Sequence, residues 1–87
     1  MTTTINIQSL AEAIAYSEIS GTESIMMHKS TGEFALVPSA RVAAREAQGW
    51  AECVSPETLD ALGISGDTSD DGMEEAGKII AWMQQQA

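Results

Sequence analysis

Residues 24–37 read Ser24-Ile25-Met26-Met27-His28-Lys29-Ser30-Thr31-Gly32-Glu33-Phe34-Ala35-Leu36-Val37. Two short runs rich in apolar side chains, 24–30 and 33–37, flank Thr31-Gly32, a glycine-bearing link of the kind that reverses a chain, so the stretch reads as a β-hairpin. Ile25 and Met27 share one face of the first strand, and Phe34 and Leu36 share one face of the second. The hairpin is therefore expected to offer the core a single apolar side.

On the C-terminal side, Pro38 breaks the strand, and Ser39 is placed to cap a helix running through Val42, Ala43, Ala44 and Ala47 to Gly49. Its alanines would let it lie close on the sheet, with Trp50 folding back on the last turn. Trp50–Val54 reads as a third strand. The 12 residues between Val37 and Trp50 are enough for a crossover that lets it run parallel to the second. Ser55-Pro56-Glu57 opens a short helix with a hydroxyl cap, proline at the first position and an acid in the first turn. Leu59 and Leu62 face inward there, and Gly63-Ile64 closes it. A polar connector, Gly66 to Gly72, leads into a last helix whose Met73, Ala76, Ile80 and Met83 recur at helical spacing, with Ile79 and Trp82 widening the face. On the N-terminal side, Ser9-Leu10-Ala11-Glu12 has the form of a capping box. It predicts a first helix with a stripe of Leu10, Ala13, Ile14 and Ser17, ended by Gly21.

The expected fold is thus α+β, a small three-stranded sheet made of the hairpin and one more strand, packed by helices in the order αββαβαα. Eighty-seven residues suit one domain, 1–87, since half the chain could not bury a self-sufficient core. No apolar run approaches the ~18 residues of a membrane span, and the Met-Thr-Thr-Thr start lacks the pattern of a signal peptide. With its single cysteine, Cys53, unable to form an internal disulfide, the chain reads as cytoplasmic.

Charge is distributed unevenly. Residues 1–50 hold five acids and three bases, a balance of −2, and residues 51–87 hold eight acids and one base, a balance of −7. Such a charge repels nucleic acid and anionic membrane and attracts basic protein surfaces. Asp67, Asp70, Asp71, Glu74 and Glu75 place five carboxylates in nine residues without a base, and Glu57 and Asp60, with Glu52, extend the same acidic region. These are the candidate partner-binding residues. A carboxylate array of this density can present to a basic groove what nucleic-acid phosphates present.

Other chemistry is poorly supported. Asp67, Ser69, Asp71 and Gly72 match positions one, three, five and six of a calcium-binding EF-hand loop, but position twelve is Lys78, where the ion needs a bidentate glutamate. His28 has no second histidine or cysteine in its strand with which to share a metal, and nucleophilic catalysis by Cys53 would need His28 beside it and a depressed thiol pKa. The expectation is a noncatalytic protein with no metal and no cofactor.

The segment from Gly32 to Trp50, with a strand ending Val37-Pro38, an inward Val42 in a short helix and a Gly49-Trp50 stop, resembles part of many small bacteriophage and prophage accessory proteins. The resemblance covers 19 of the 87 residues and implies two roles. One is an inhibitor of a host nucleic-acid-handling system, as anti-CRISPR proteins are, acting as a nucleic-acid mimic toward a protein with a basic surface. The other is a minor virion or assembly component using Trp82 and the methionines in an apolar interface, with other proteins or with its own copies.

Overall fold

The computed structural model describes residues 7–15, 17–64, 66–68 and 71–86. In chain order the elements are α1 (Ile7–Ile14), β1 (Glu18–Ile19), β2 (Glu23–His28), β3 (Phe34–Pro38), a 3-10 turn (Ser39–Arg41) running into α2 (Val42–Ala47), β4 (Trp50–Val54), α3 (Pro56–Ala61), β5 (Gly66–Asp67) and α4 (Met73–Gln85). The fold is α+β. The expected order holds, with one addition: β1 and β5, two residues each, pair antiparallel with Glu18 opposite Asp67 and Ile19 opposite Gly66.

The hairpin forms as read, with Ile25 opposite Leu36 and Met27 opposite Phe34. The third strand lies on its other side. The order is β3-β2-β4, both pairings are antiparallel, and β4 runs in the direction of β3 with β2 between them. A bulge interrupts β4, where Ile25 faces Val54 and the next residue, Met26, faces Glu52, so that Cys53 is the extra residue.

Both faces of this sheet are covered, whereas the hairpin pattern predicts one. Ile25, Phe34 and Val54 join Leu10, Ala11 and Ile14 of α1, Leu59 and Ile64 around α3, and Ala76 and Ile79 of α4 in one core cluster. The opposite face carries Ser24, Met26 and Val37, equally buried, on the side where α2 packs against β4 and the Arg45 guanidinium lies 5.3 Å from the Trp50 ring centre.

Local chemistry explains why some elements form as expected and others do not. In α3 the Ser55 hydroxyl accepts the Thr58 amide with Pro56 at the first position. At its other end the Gly63 amide donates to the Asp60 carbonyl and the Ile64 amide to the Leu59 carbonyl. Both bonds of a Schellman ending are present, with Leu59 and Ile64 as its apolar contact.

In α1 the capping box does not form. The helix already runs at Ile7, and the Ser9 hydroxyl accepts the Phe34 amide at 3.1 Å instead. The helix stops well before Gly21, at Ile14, where the Thr68 hydroxyl donates to the Ile14 carbonyl and accepts the Ser17 amide. Its buried residues are Leu10, Ala11 and Ile14. Ser39 likewise does not cap a helix, because its amide and hydroxyl both donate to the Thr22 carbonyl. The alanines of α2 are exposed. Val42 and Arg45 are its half-buried positions, and Arg45 reaches Trp50 where the alanine methyls were expected to meet the sheet. In α4 the buried positions are Glu75, Ala76 and Ile79, with Ile80, Trp82 and Met83 packed partly against the core and Met73 44% exposed.

Candidate functional site

The acidic connector and the start of α4 meet the end of α3 around an open cleft of about 320 Å³, lined by Gly63, Ile64, Asp67, Thr68, Glu74, Glu75 and Lys78. Each wall has a local cause. The Schellman ending of α3 turns Gly63 and Ile64 into it, the β1–β5 pairing holds Asp67, and Thr68 is fixed by its hydroxyl bonds and by its amide, which donates to the Ser17 carbonyl. The first turns of α4 supply Glu74, Glu75 and Lys78.

The position of α4 is set by backbone contact. Gly72, at φ +69°, precedes the helix, and a Cβ added there would stand 2.2 Å from the Ala11 carbonyl oxygen. Only a residue without a side chain lets the two helices approach so closely. Ala11 and Ala76, both buried, continue the tight seam. Just before it the Asp71 carboxylate accepts the Met73 amide at 3.1 Å, and with Glu74 and Glu75 it places negative charge at the positive end of α4.

The seven acids expected to contact a partner are therefore not equivalent. Asp67, Glu74 and Glu75 line one cleft. Asp71 is exposed beside it, and Glu57 and Asp60 are exposed on α3, the helix whose terminal glycine forms part of its wall. Glu75 is only 8% exposed and belongs to the wall rather than to the outer surface. Asp70 lies outside the described residues, as does Ser69 of the loop compared with calcium sites. Asp67, the first position of that loop, is tied into β5.

Three of the four bases lie elsewhere. Arg45 stacks on Trp50, the His28 ring meets the same indole edge-on with ring centres 5.2 Å apart, and Lys29 follows His28, while Arg41 is exposed just before α2. Trp50 begins β4, and α3 follows its far end, so positive and negative charge are separated along that strand. Only Lys78 stands among the acids of the cleft.

His28 and Cys53 are not a catalytic pair in this arrangement. The His28 Nδ1 accepts the Ser30 amide at 3.2 Å and its Nε2 lies beside Gly49, whereas Cys53 packs against the core cluster. Burial pushes the Cys53 thiol up, the neighbouring Glu52 charge pushes it the same way, and a backbone hydrogen bond from Met27 offsets part of this. The methionines named for an apolar interface divide as well. Met26 is fully buried, Met27 and Met83 pack on the core, and Met73 is the exposed one.

Two features escaped sequence reasoning. Thr68, the residue that fastens the end of α1, sits in a polar connector with nothing in its neighbours to mark it. A second cleft of about 310 Å³ brings Glu12 and Glu33 together with Gln8 and Ser9, and its cause is the Ser9–Phe34 bond between residues 25 positions apart. No helix among the described residues is long and apolar enough to cross a membrane. No family model matches the chain, and no match was found among curated proteins or solved structures.

Proposed function

We propose that the protein is a noncatalytic binding module that docks its acidic side onto the basic surface of a protein partner, and that the partner handles nucleic acid. The observation that supports this is the grouping of exposed Asp67 and Glu74 in one cleft, with exposed Asp71 just before α4, exposed Glu57 and Asp60 on the adjoining helix, and Lys78 as the only base among the described residues lining the cleft. At an overall charge of −9, a surface of this sign repels phosphate backbones and draws in the grooves that bind them. The setting implied by the Gly32–Trp50 resemblance, a phage-encoded inhibitor, agrees with such a role.

The test is retention of a purified nucleic-acid enzyme from the host by the immobilised protein, at low and high salt. The comparison protein carries Glu57, Asp60, Asp67, Asp71 and Glu74 as amides, with buried Glu75 left intact. Binding that is lost both in salt and in the amide variant supports the proposal. Salt-resistant self-assembly, unaffected by the amides, refutes it and favours a virion or assembly part.

A further inference from the structure

Asp71-Gly72 is the only place in the chain where an aspartate or asparagine precedes glycine. Such a pair has a reaction of its own, because no side chain on the glycine keeps its amide nitrogen from the carboxyl carbon before it. The Gly72 nitrogen attacks the Asp71 carboxyl carbon, a carbon–nitrogen bond forms, and the carboxyl hydroxyl leaves with the amide proton as water, closing a five-membered succinimide ring. Water then adds to one ring carbonyl and breaks its bond to nitrogen. Opening at the side-chain carbonyl restores aspartate. Opening at the main-chain carbonyl leaves the chain running through the Asp71 side chain, with the α-carboxylate free, which is an isoaspartyl link.

Both reacting groups are held in the folded protein. Asp71 is exposed, but its carboxylate accepts the Met73 amide at 3.1 Å. Gly72 is buried, and its carbonyl accepts the Ala76 amide at 2.9 Å. Its α-carbon lies so close to α1 that an added Cβ would stand 2.2 Å from the Ala11 carbonyl oxygen, and the next nearest atoms, from Ala11 and Ala15, are also backbone. Ring closure needs the Asp71-Gly72 peptide plane to turn until its nitrogen meets the carboxyl carbon. Nothing around Gly72 can swing aside to allow this while α4 stays docked on α1. The other end of the connector is tied down as well, by the Thr68 hydroxyl on the Ile14 carbonyl and the Ser17 amide.

We propose that Asp71-Gly72 is a site of isoaspartate formation that the docking of α4 onto α1 keeps closed, so that the modification accumulates in chains whose α4 has opened. An isomerised chain does not return to the same state. The main chain before Gly72 gains one carbon–carbon bond of about 1.5 Å, and the carboxyl group that took up the Met73 amide has become part of the backbone, so the start of α4 loses its acceptor. The fold thereby marks chains that have been open.

The experiment incubates the whole protein at neutral pH, folded and in urea. Isoaspartate is counted by enzymatic methylation of its free α-carboxylate and placed in the chain by electron-transfer fragmentation. The expected result is product at Asp71 that forms about tenfold or more slowly in the folded protein than in urea, since a reaction of the open form scales with its population. Thr68→Val, which frees the other end of the connector, should raise the folded rate by about 5–30-fold and leave the urea rate unchanged. Equal rates in the folded and unfolded protein, product mainly at another aspartate, or a folded rate that Thr68→Val does not change would each overturn the proposal. The isomerised chain, separated and returned to buffer, should unfold at a urea concentration lower by about 1 M, the loss of one helix cap. An unchanged midpoint overturns the claim that opened chains are marked by a lasting change in stability.

Discussion

Replacing Gly72 with alanine should be among the most damaging single-methyl changes this chain can receive. Two costs combine. At φ +69° an alanine pays about 1 kcal/mol for the left-handed conformation. Its Cβ would also stand 2.2 Å from the Ala11 oxygen, 3.0 Å from the Ala11 carbonyl carbon and 3.1 Å from the Ala15 nitrogen. Every one of these atoms is backbone, so no side chain can swing aside, and α4 must shift from α1 at the ~1–3 kcal/mol typical of an overpacked contact. The total of about 2–4 kcal/mol compares with a stability of about 5 kcal/mol for a small domain. Gly63→Ala is the control, since Gly63 has φ +76° and nothing within 4 Å of the added carbon, so only the conformational cost applies. With a urea slope near 1 kcal/mol/M, tryptophan fluorescence should give a midpoint lowered by about 1 M for Gly63→Ala and by about 2–4 M for Gly72→Ala. Equal midpoints for the two variants would refute the close helix contact.

Thr68→Val should cost about 1–2 kcal/mol, by removing the hydroxyl that serves the Ile14 carbonyl and the Ser17 amide, and Thr68→Ser should recover most of it in the same urea titration. For Glu23, burial raises the carboxyl pKa but is outweighed by hydrogen bonds from the Ser20 hydroxyl and the Ser20 and Thr22 amides, so the net direction is downward. Its contribution to stability is therefore present above the ordinary carboxylate value of about 4.3 and is lost as pH falls through the lower folded value. Melting temperatures between those limits should show a small acid-dependent loss that Glu23→Gln lacks. Cys53, with its thiol pushed up by burial, should react with a disulfide reagent at pH 8 more slowly than a free cysteine peptide, and the difference should vanish in urea.

Sequence disclosed most where a structure is set by residues close together in the chain. Ser55-Pro56 and Gly63-Ile64 bracket α3 because both ends are made within single turns, and the hairpin follows from Thr31-Gly32 and the alternation around it. It misled where a side chain has a distant partner. Ser9 and Ser39 have the chemistry of helix caps, but Phe34 and Thr22 engage them first. β1 and β5 are too short to carry a pattern. At the candidate site the concentration of acids was plain from the chain, as was their placement at the start of α4. The burial of Glu75 was not, because helical spacing alone did not reveal that the inward seam of α4 runs through Glu75, Ala76 and Ile79 rather than Met73.

The fastening of α1 to residues far along the chain also bears on how the protein is made. Ser17 and Thr68 are 51 positions apart, and Gly72 must arrive before Ala11 gains its neighbour. At ~5–20 residues per second, translation takes about 3–10 s to bring Thr68 into being after Ser17. Within that interval β2, β3 and β4 are all made once Val54 has been added, whereas Leu10 and Ile14, made before any of them, still lack the helix that will cover them. The nascent chain therefore carries the uncovered apolar stripe of α1 until α4 arrives, and is open during those seconds to a chaperone or to another chain at the same stage.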